Sequence, residues 1–170
     1  LDADITTVNI ASATAANTLA SLIASGATAV NISGSQNLVL TANTFAATAA
    51  ITSTSTGNVT LGTAVAVGQT YTGGSGVDTL TTTTASTKAT PLGGGNDVIT
   101  SDGSYGTGGS LDAGAGTDTI VMTAAQAATA TASATFAGKV SGLETLSVGA
   151  TAAATALNMT NADGMNTVTI

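Results

Sequence analysis

Nine carboxylates and two lysines are all the charge in this chain of 170 residues, which has no histidine and no cysteine. Three of the acids follow clusters of glycine, in "GGSGVDTLT" (73–81), "LGGGNDVIT" (92–100) and "AGAGTDTIV" (113–121). All three fit a nine-residue form, G-G-x-G-x-D-x-U-x, in which U is a large aliphatic. In the first six positions glycine permits positive φ and close backbone approach, so several carbonyl oxygens can converge, and the aspartate adds two more. Six to eight oxygens without imidazole or thiolate are the donor set of Ca2+, whereas Mg2+ demands a tighter octahedron. The candidate ligands are Gly73, Gly74, Ser75, Gly76 and Asp78; Leu92, Gly93, Gly94, Gly95 and Asp97; and Ala113, Gly114, Ala115, Gly116 and Asp118. Asp112, one residue before the third motif, is a further candidate.

Spacing places these turns relative to one another. Asp78 to Asp97 is 19 residues and Asp97 to Asp118 is 21. Two nine-residue units complete one coil of a β-roll, so the three turns are expected on one edge of successive coils, enclosing two sites. Carboxylates about 5 Å apart repel by roughly 3 kcal/mol per adjacent pair at an effective dielectric near 20. A solvated edge screens much of this, and a divalent cation between adjacent turns reverses its sign. Ordinary Gly-Asp turn chemistry explains one such segment well. It explains three copies at one-coil spacing poorly in a chain that is 6% charged.

The last three residues of each motif read as a short strand with Leu80, Ile99 and Ile120 pointing inward. Similar alternating segments stand elsewhere: "ITTVNI" (5–10), "ATAVNI" (27–32), "LETLSV" (143–148) and "MNTVTI" (165–170). Val8 to Val30 and Leu146 to Val168 are each 22 residues, and Ile51 follows Val30 by 21. Strands at this period, with few large side chains and aromatics at 2%, predict a thin stacked core rather than a globule. The expected fold is all-β: a parallel β-solenoid with a calcium-binding β-roll at its centre. We divide it into solenoid coils over 1–70, the β-roll over 71–122, and a loop or helix followed by returning strands over 123–170. Leu19, Leu22 and Ile23 lie at helical spacing between Asn17 and Gly26, which predicts a short helix over 17–26. The Ala-rich stretch 123–139 fits loop and helix equally, and Pro91 fits a corner between strands.

Composition also excludes. A net charge of −7 leaves no basic footprint for nucleic acid. No run of about 20 residues is continuously apolar, so no membrane-inserting segment is expected. Without histidine or cysteine there is no nucleophile–base pair, and Lys88, Lys139, Tyr71 and Tyr105 do not form the set a solenoid polysaccharide enzyme needs. The chain is read as a non-enzyme. Threonine runs such as "TLTTTT" (79–84) do not recur at coil spacing, which argues against an ice-binding face. Among the remaining acids, Asp102 reads as a loop cap, Glu144 as part of an exposed polar face, and Asp163 as a turn former. Asp2 and Asp4 say little.

The nonapeptides resemble those of RTX (repeats-in-toxin) proteins, which implies a calcium-filled parallel β-roll and type I secretion. The order "ITTVNI", "TLASLIASGATAVNIS", "YTGGSGVDTL", "SLDAGAGTDTIV", "VSGLETLSV" and "NTVTI" is similar to that of Caulobacter-type surface-layer (S-layer) proteins. That resemblance covers nearly the whole chain. It implies an extracellular location on the bacterial cell surface, other copies of the same chain as lattice partners, and any lipopolysaccharide anchoring outside this segment. An RTX adhesin or a secretion module of a larger exoprotein is the alternative. The chain is read as a piece of a longer protein whose flanking sequence carries an export signal. Leu92 and Ala113 depart from the motif at its first glycine, and Ala115 fills a free position, so the later turns are less regular than the first.

Overall fold

Residues alternating apolar and polar at period two bury one face of a strand, and here such strands stack in parallel, coil upon coil. The computed structural model describes residues 4–149, 156–162 and 164–170. Asp2 and Asp163 lie outside the described residues.

One face of the stack begins with β1 (Thr7–Ala11). The second face begins with β2 (Asn17–Leu19) and a short third side with β3 (Leu22–Ala24). The pattern repeats in β4 (Ala29–Ser33), β5 (Leu38–Leu40) and β6 (Asn43–Phe45), then in β7 (Ala50–Ser53) and β8 (Val59–Leu61). It continues in β9 (Thr70–Thr72) and β10 (Asp78–Thr81), β11 (Ala89–Pro91) and β12 (Val98–Thr100), and β13 (Ser110–Asp112) and β14 (Thr119–Met122). The helices α1 (Ala124–Thr131) and α2 (Ala134–Ala137) intervene before β15 (Val140–Ser141), β16 (Thr145–Val148) and β17 (Thr167–Thr169). The result is a parallel β-solenoid of about seven turns. The second face is one eight-stranded sheet, β17-β16-β14-β12-β10-β8-β5-β2, which runs the length of the stack.

The register follows the counted spacings. Val8 pairs with Val30, Val30 with Ile51, and Leu146 with Val168. Val30, Ile51 and Tyr71 form one fully buried column, while Leu40, Ile99, Ile120 and Leu146 line the opposing face. Branched and aliphatic side chains stacked in register bury themselves on the rungs above and below, so a narrow core suffices. Pro91 ends β11, where a missing N–H does least harm to the ladder.

The helix expected over 17–26 is not there: Asn17–Leu19 and Leu22–Ala24 are strands paired with Leu38–Leu40 and Asn43–Phe45. An isolated helix this short is marginal in water, and pairing to the next coil supplies hydrogen bonds that helical spacing alone does not. Asn17 caps a turn instead, its Nδ2 donating to Ser12 Oγ and the Ala15 carbonyl. The stretch 123–139 resolves to helix. Thr123 and Gln126 form a capping box, and Ala124, Ala127 and Ala130 are buried. The helical pair lengthens that coil: Asp112 pairs with Ser141, 29 residues on, against 21 from Pro91 to Asp112. Among the described residues no helix is long and apolar enough to cross a membrane.

Candidate metal centre

The three glycine-rich turns connect the first face to the second and stack on a single edge. Thr79 pairs with Val98 and Val98 with Thr119, so Asp78, Asp97 and Asp118 sit at one register position on successive coils. The turns touch through their backbones: Gly94 N–H donates to the Gly74 carbonyl (2.9 Å), Ala115 N–H to Gly93 (3.0 Å), and Gly95 N–H to Ala115 (2.9 Å). Each carbonyl keeps a second lone pair after such a bond. Close approach demands glycine here. Gly93 has φ +88°, and a Cβ on it would run into the Gly74 carbonyl. Gly93→Ala is therefore expected to lose about 1–3 kcal/mol from backbone conformation alone, and more from the overlap. Thermal melting checks this, and an unchanged midpoint would mean that the turns do not stack.

The acids differ from expectation in one respect. They do not lie on a solvated edge but point into the stack, with 1% of Asp78 exposed and none of Asp97 or Asp118. The preceding coils carry Leu38 and Val59 at this same inward position, and Val59 pairs directly with Asp78. An apolar column thus becomes an acidic one without any change of register. The reason the charges turn inward is the adjacent backbone. Asp78 N–H donates to Asp97 Oδ1 (2.7 Å) and Asp97 N–H to Asp118 Oδ1 (2.6 Å), so Asp97 and Asp118 each cap the amide of the coil before. The other oxygen, Oδ2, of all three aspartates is buried and has no hydrogen-bond partner.

Burial raises the pKa of every member. Asp78 is pushed up to about 7, by burial first and then by the Asp97 charge, partly offset by the Tyr71 hydroxyl and the Gly74 N–H. Asp97 is pushed up to about 6 by burial and the Asp118 charge, against the stabilising Asp78 N–H. Asp118 is raised by burial and by Glu144, against the Asp97 N–H. Tyr71 is fully buried, and its hydroxyl lies beside Asp78 without completing a hydrogen bond of good geometry.

The remaining candidates divide clearly. Gly73, Gly74, Ser75 and Gly76 belong to the first turn, Gly93, Gly94 and Gly95 to the second, and Gly114, Ala115 and Gly116 to the third. Leu92 and Ala113 are fully buried, so their side chains extend the core and only their backbone oxygens are available to a ligand. Asp112 is exposed on β13 and accepts from Ser141 Oγ (2.9 Å), away from the inward column. Asp102 caps its own loop by accepting from Ser104 N–H (2.9 Å).

Sequence reasoning missed Glu144 and Tyr71. Glu144 is no member of an exposed face; its Oε2 accepts from Asp118 N–H (2.8 Å), which makes it the next rung of the acidic column. The signal was the pattern "ETL" beside "DTL", "DVI" and "DTI", obscured because the helices stretch the spacing.

Among the described residues no group of three or more acidic, histidine or cysteine side chains converges as a metal cluster. A cation in a gap between turns would therefore be held by at most a pair of carboxylates, with backbone carbonyls supplying the rest. The buried, unpartnered Oδ2 atoms fit that donor set. No model of a known protein family matches the chain, and no curated protein does.

Proposed function

We propose that this chain is a calcium-binding structural segment of a secreted surface-layer protein, whose coils become rigid where calcium is plentiful. The observation that carries this reading is the column of three buried aspartates, each with one oxygen lacking a partner, at positions where earlier coils hold Leu38 and Val59. Fully burying a Leu or Val is worth about 1.5–3 kcal/mol, whereas burying an unpaired carboxylate costs several kcal/mol. Three apolar side chains would stabilise these coils better, so the acids serve a ligand rather than the fold. When bound, Ca2+ supplies the positive charge that the column lacks. Asp78, Asp97 and Asp118, with backbone oxygens of the three glycine-rich turns, would hold it.

The lattice half of the reading rests on the ordered resemblance to surface-layer proteins. An extracellular site with Kd near 0.1–1 mM stays empty in the cytosol and fills outside the cell. At tenfold excess over Kd each filled site adds about 1.4 kcal/mol. That is enough to separate a mobile chain in transit from a rigid one at the surface. The alternative, an RTX adhesin or secretion module, shares the metal chemistry and differs only in assembly.

Terbium tests the metal site directly. The chain has no tryptophan and two tyrosines, and Tyr71 lies beside Asp78. Excitation of tyrosine is expected to sensitise Tb3+ emission, which Ca2+ displaces and Tyr71→Phe largely removes. No sensitised emission, together with the same melting midpoint in calcium and in EDTA, would sink the calcium reading. Electron microscopy of the full-length protein in calcium separates the assemblies: a two-dimensional lattice supports the surface layer, dispersed particles the alternative.

A further inference from the structure

We infer that the chain holds a third cation site, in the gap between Asp118 and Glu144, which the nine-residue motif does not reveal. The inference rests on the calcium reading above. Four carboxylates occupy consecutive rungs, and the column ends abruptly on both sides. Below Asp78 the position is Val59, and above Glu144 it is Asn166, since Thr145 pairs with Thr167. Glu144 joins the column through the same contact as the others, its carboxylate oxygen accepting the N–H of the acid one coil earlier. Asp118 borders this gap and is close enough to Glu144 to feel its charge; its Oδ1 accepts the Asp97 N–H, while its Oδ2 is buried and has no partner.

Glutamate rather than aspartate follows from the length of the turn. In the three motif coils five residues separate the first-face strand from the acid, 73–77, 92–96 and 113–117. In the last coil only Gly142 and Leu143 lie between Ser141 and Glu144. Gly142, at φ +69°, brings this short turn down onto the backbone of Ala113 and Gly114, where a Cβ would come within 2.6 Å of Gly114 N. Three residues of turn are thus missing from that edge, and the extra methylene of glutamate lets a carboxylate reach where the shorter turn has withdrawn the backbone. The Glu144 amide is engaged differently from the other acids. It donates to the Asp118 carbonyl (3.2 Å), which also accepts from Thr145 (2.9 Å). Among the described residues no further carboxylate caps it, so the series stops there.

A two-residue turn also supplies fewer carbonyl oxygens than a five-residue one. The third site therefore has fewer protein ligands, completes its shell with water and binds more weakly than the first two. Calcium occupies the column in order, and the gap beside the helical insertion fills last.

Isothermal titration of the full chain with CaCl2, paired with native mass spectrometry, counts the ions. Wild type is expected to bind three, one of them at least several-fold weaker than the other two. Glu144→Gln keeps an oxygen for the Asp118 amide and removes the charge; it is expected to bind two, with tyrosine-sensitised terbium emission unchanged. Glu144→Asp, too short for the reduced turn, is expected to weaken the third site about tenfold or more. Circular dichroism in EDTA verifies that both variants fold, and native mass spectrometry counts ions on the folded fraction alone. Two ions in wild type, with the count unaltered in Glu144→Gln, would overturn the third site and leave the calcium reading standing. No ions in wild type would overturn both.

Discussion

Replacing Asp97 by asparagine is expected to raise the melting midpoint in EDTA at pH 8 and to remove most of the rise that calcium gives. Asp97 lies between Asp78 and Asp118, and with a pKa near 6 it is ionised at pH 8. Keeping this buried carboxylate ionised beside the Asp118 charge costs up to roughly 3 kcal/mol. Asparagine removes that cost, and its Oδ1 can still accept the Asp78 N–H. The new amide N–H2 meets the place where Oδ2 had no partner. Asp97→Ala is the control: it also removes the charge but strands the buried Asp78 N–H, and so should be less stable than Asp97→Asn by about 1–3 kcal/mol. Since Asp97 borders both gaps of the three-turn motif, either substitution disables both. Differential scanning calorimetry with and without 5 mM CaCl2 checks the pair. An asparagine variant that melts below wild type in EDTA, or gains as much from calcium, would show that the column is not what calcium acts upon.

The second large effect is that of pH. Asp78 and Asp97 have folded-state pKa values raised from 3.8 to about 7 and about 6, so the folded protein retains protons that the unfolded chain releases. Raised carboxyl groups contribute stability that is complete below the unfolded value, near pH 4, and is lost as pH rises through the folded values. Without calcium the protein should therefore become less stable between pH 4 and about 7.5, opposite to the usual behaviour of salt-bridged aspartates. For the pair the loss is on the order of 4 kcal/mol after allowing for their coupling, or about 10 °C in melting midpoint for a chain of this size. Calcium should restore the midpoint at pH 8 and do little at pH 5, where protons occupy the same oxygens. Thermal melts in EDTA across this range decide it. A midpoint that holds constant or climbs from pH 5 to pH 8 would refute the buried acidic column.

Both expectations come from where the carboxylates point, and this is the part of the site that sequence conveyed least. The position of the acids along the chain was legible. Asp78, Asp97 and Asp118 share one rung position because the counted spacings equal coil lengths. Their orientation was not, because a motif of alternating residues shows which side chains share a face but not whether the hydrogen bonds of the next coil draw a carboxylate inward. In the register, Asp78 aligns with Val59 and lies two residues before Leu80, so inward alternation was available from the strand pattern. Charged side chains ordinarily lie at the surface, so alternation alone does not announce a buried acid.

Elsewhere the two levels separate along similar lines. The β-solenoid was readable in Val8, Val30, Ile51 and Leu146 because parallel in-register stacking repeats a side chain at every coil, and repetition survives in one dimension. The apolar spacing of Leu19, Leu22 and Ile23 misled because both helix and strand place some large residues inward. Only the neighbouring Leu38–Leu40 and Asn43–Phe45 decided between them. Glu144 joined the acidic column only once the helices over 124–137 had been folded out of the count. Sequence by itself thus determined the coil period and the order of acidic rungs, since both are set by distance along the chain. Tertiary structure alone decided which atoms those acids face, since that depends on amides contributed by the coil stacked against them.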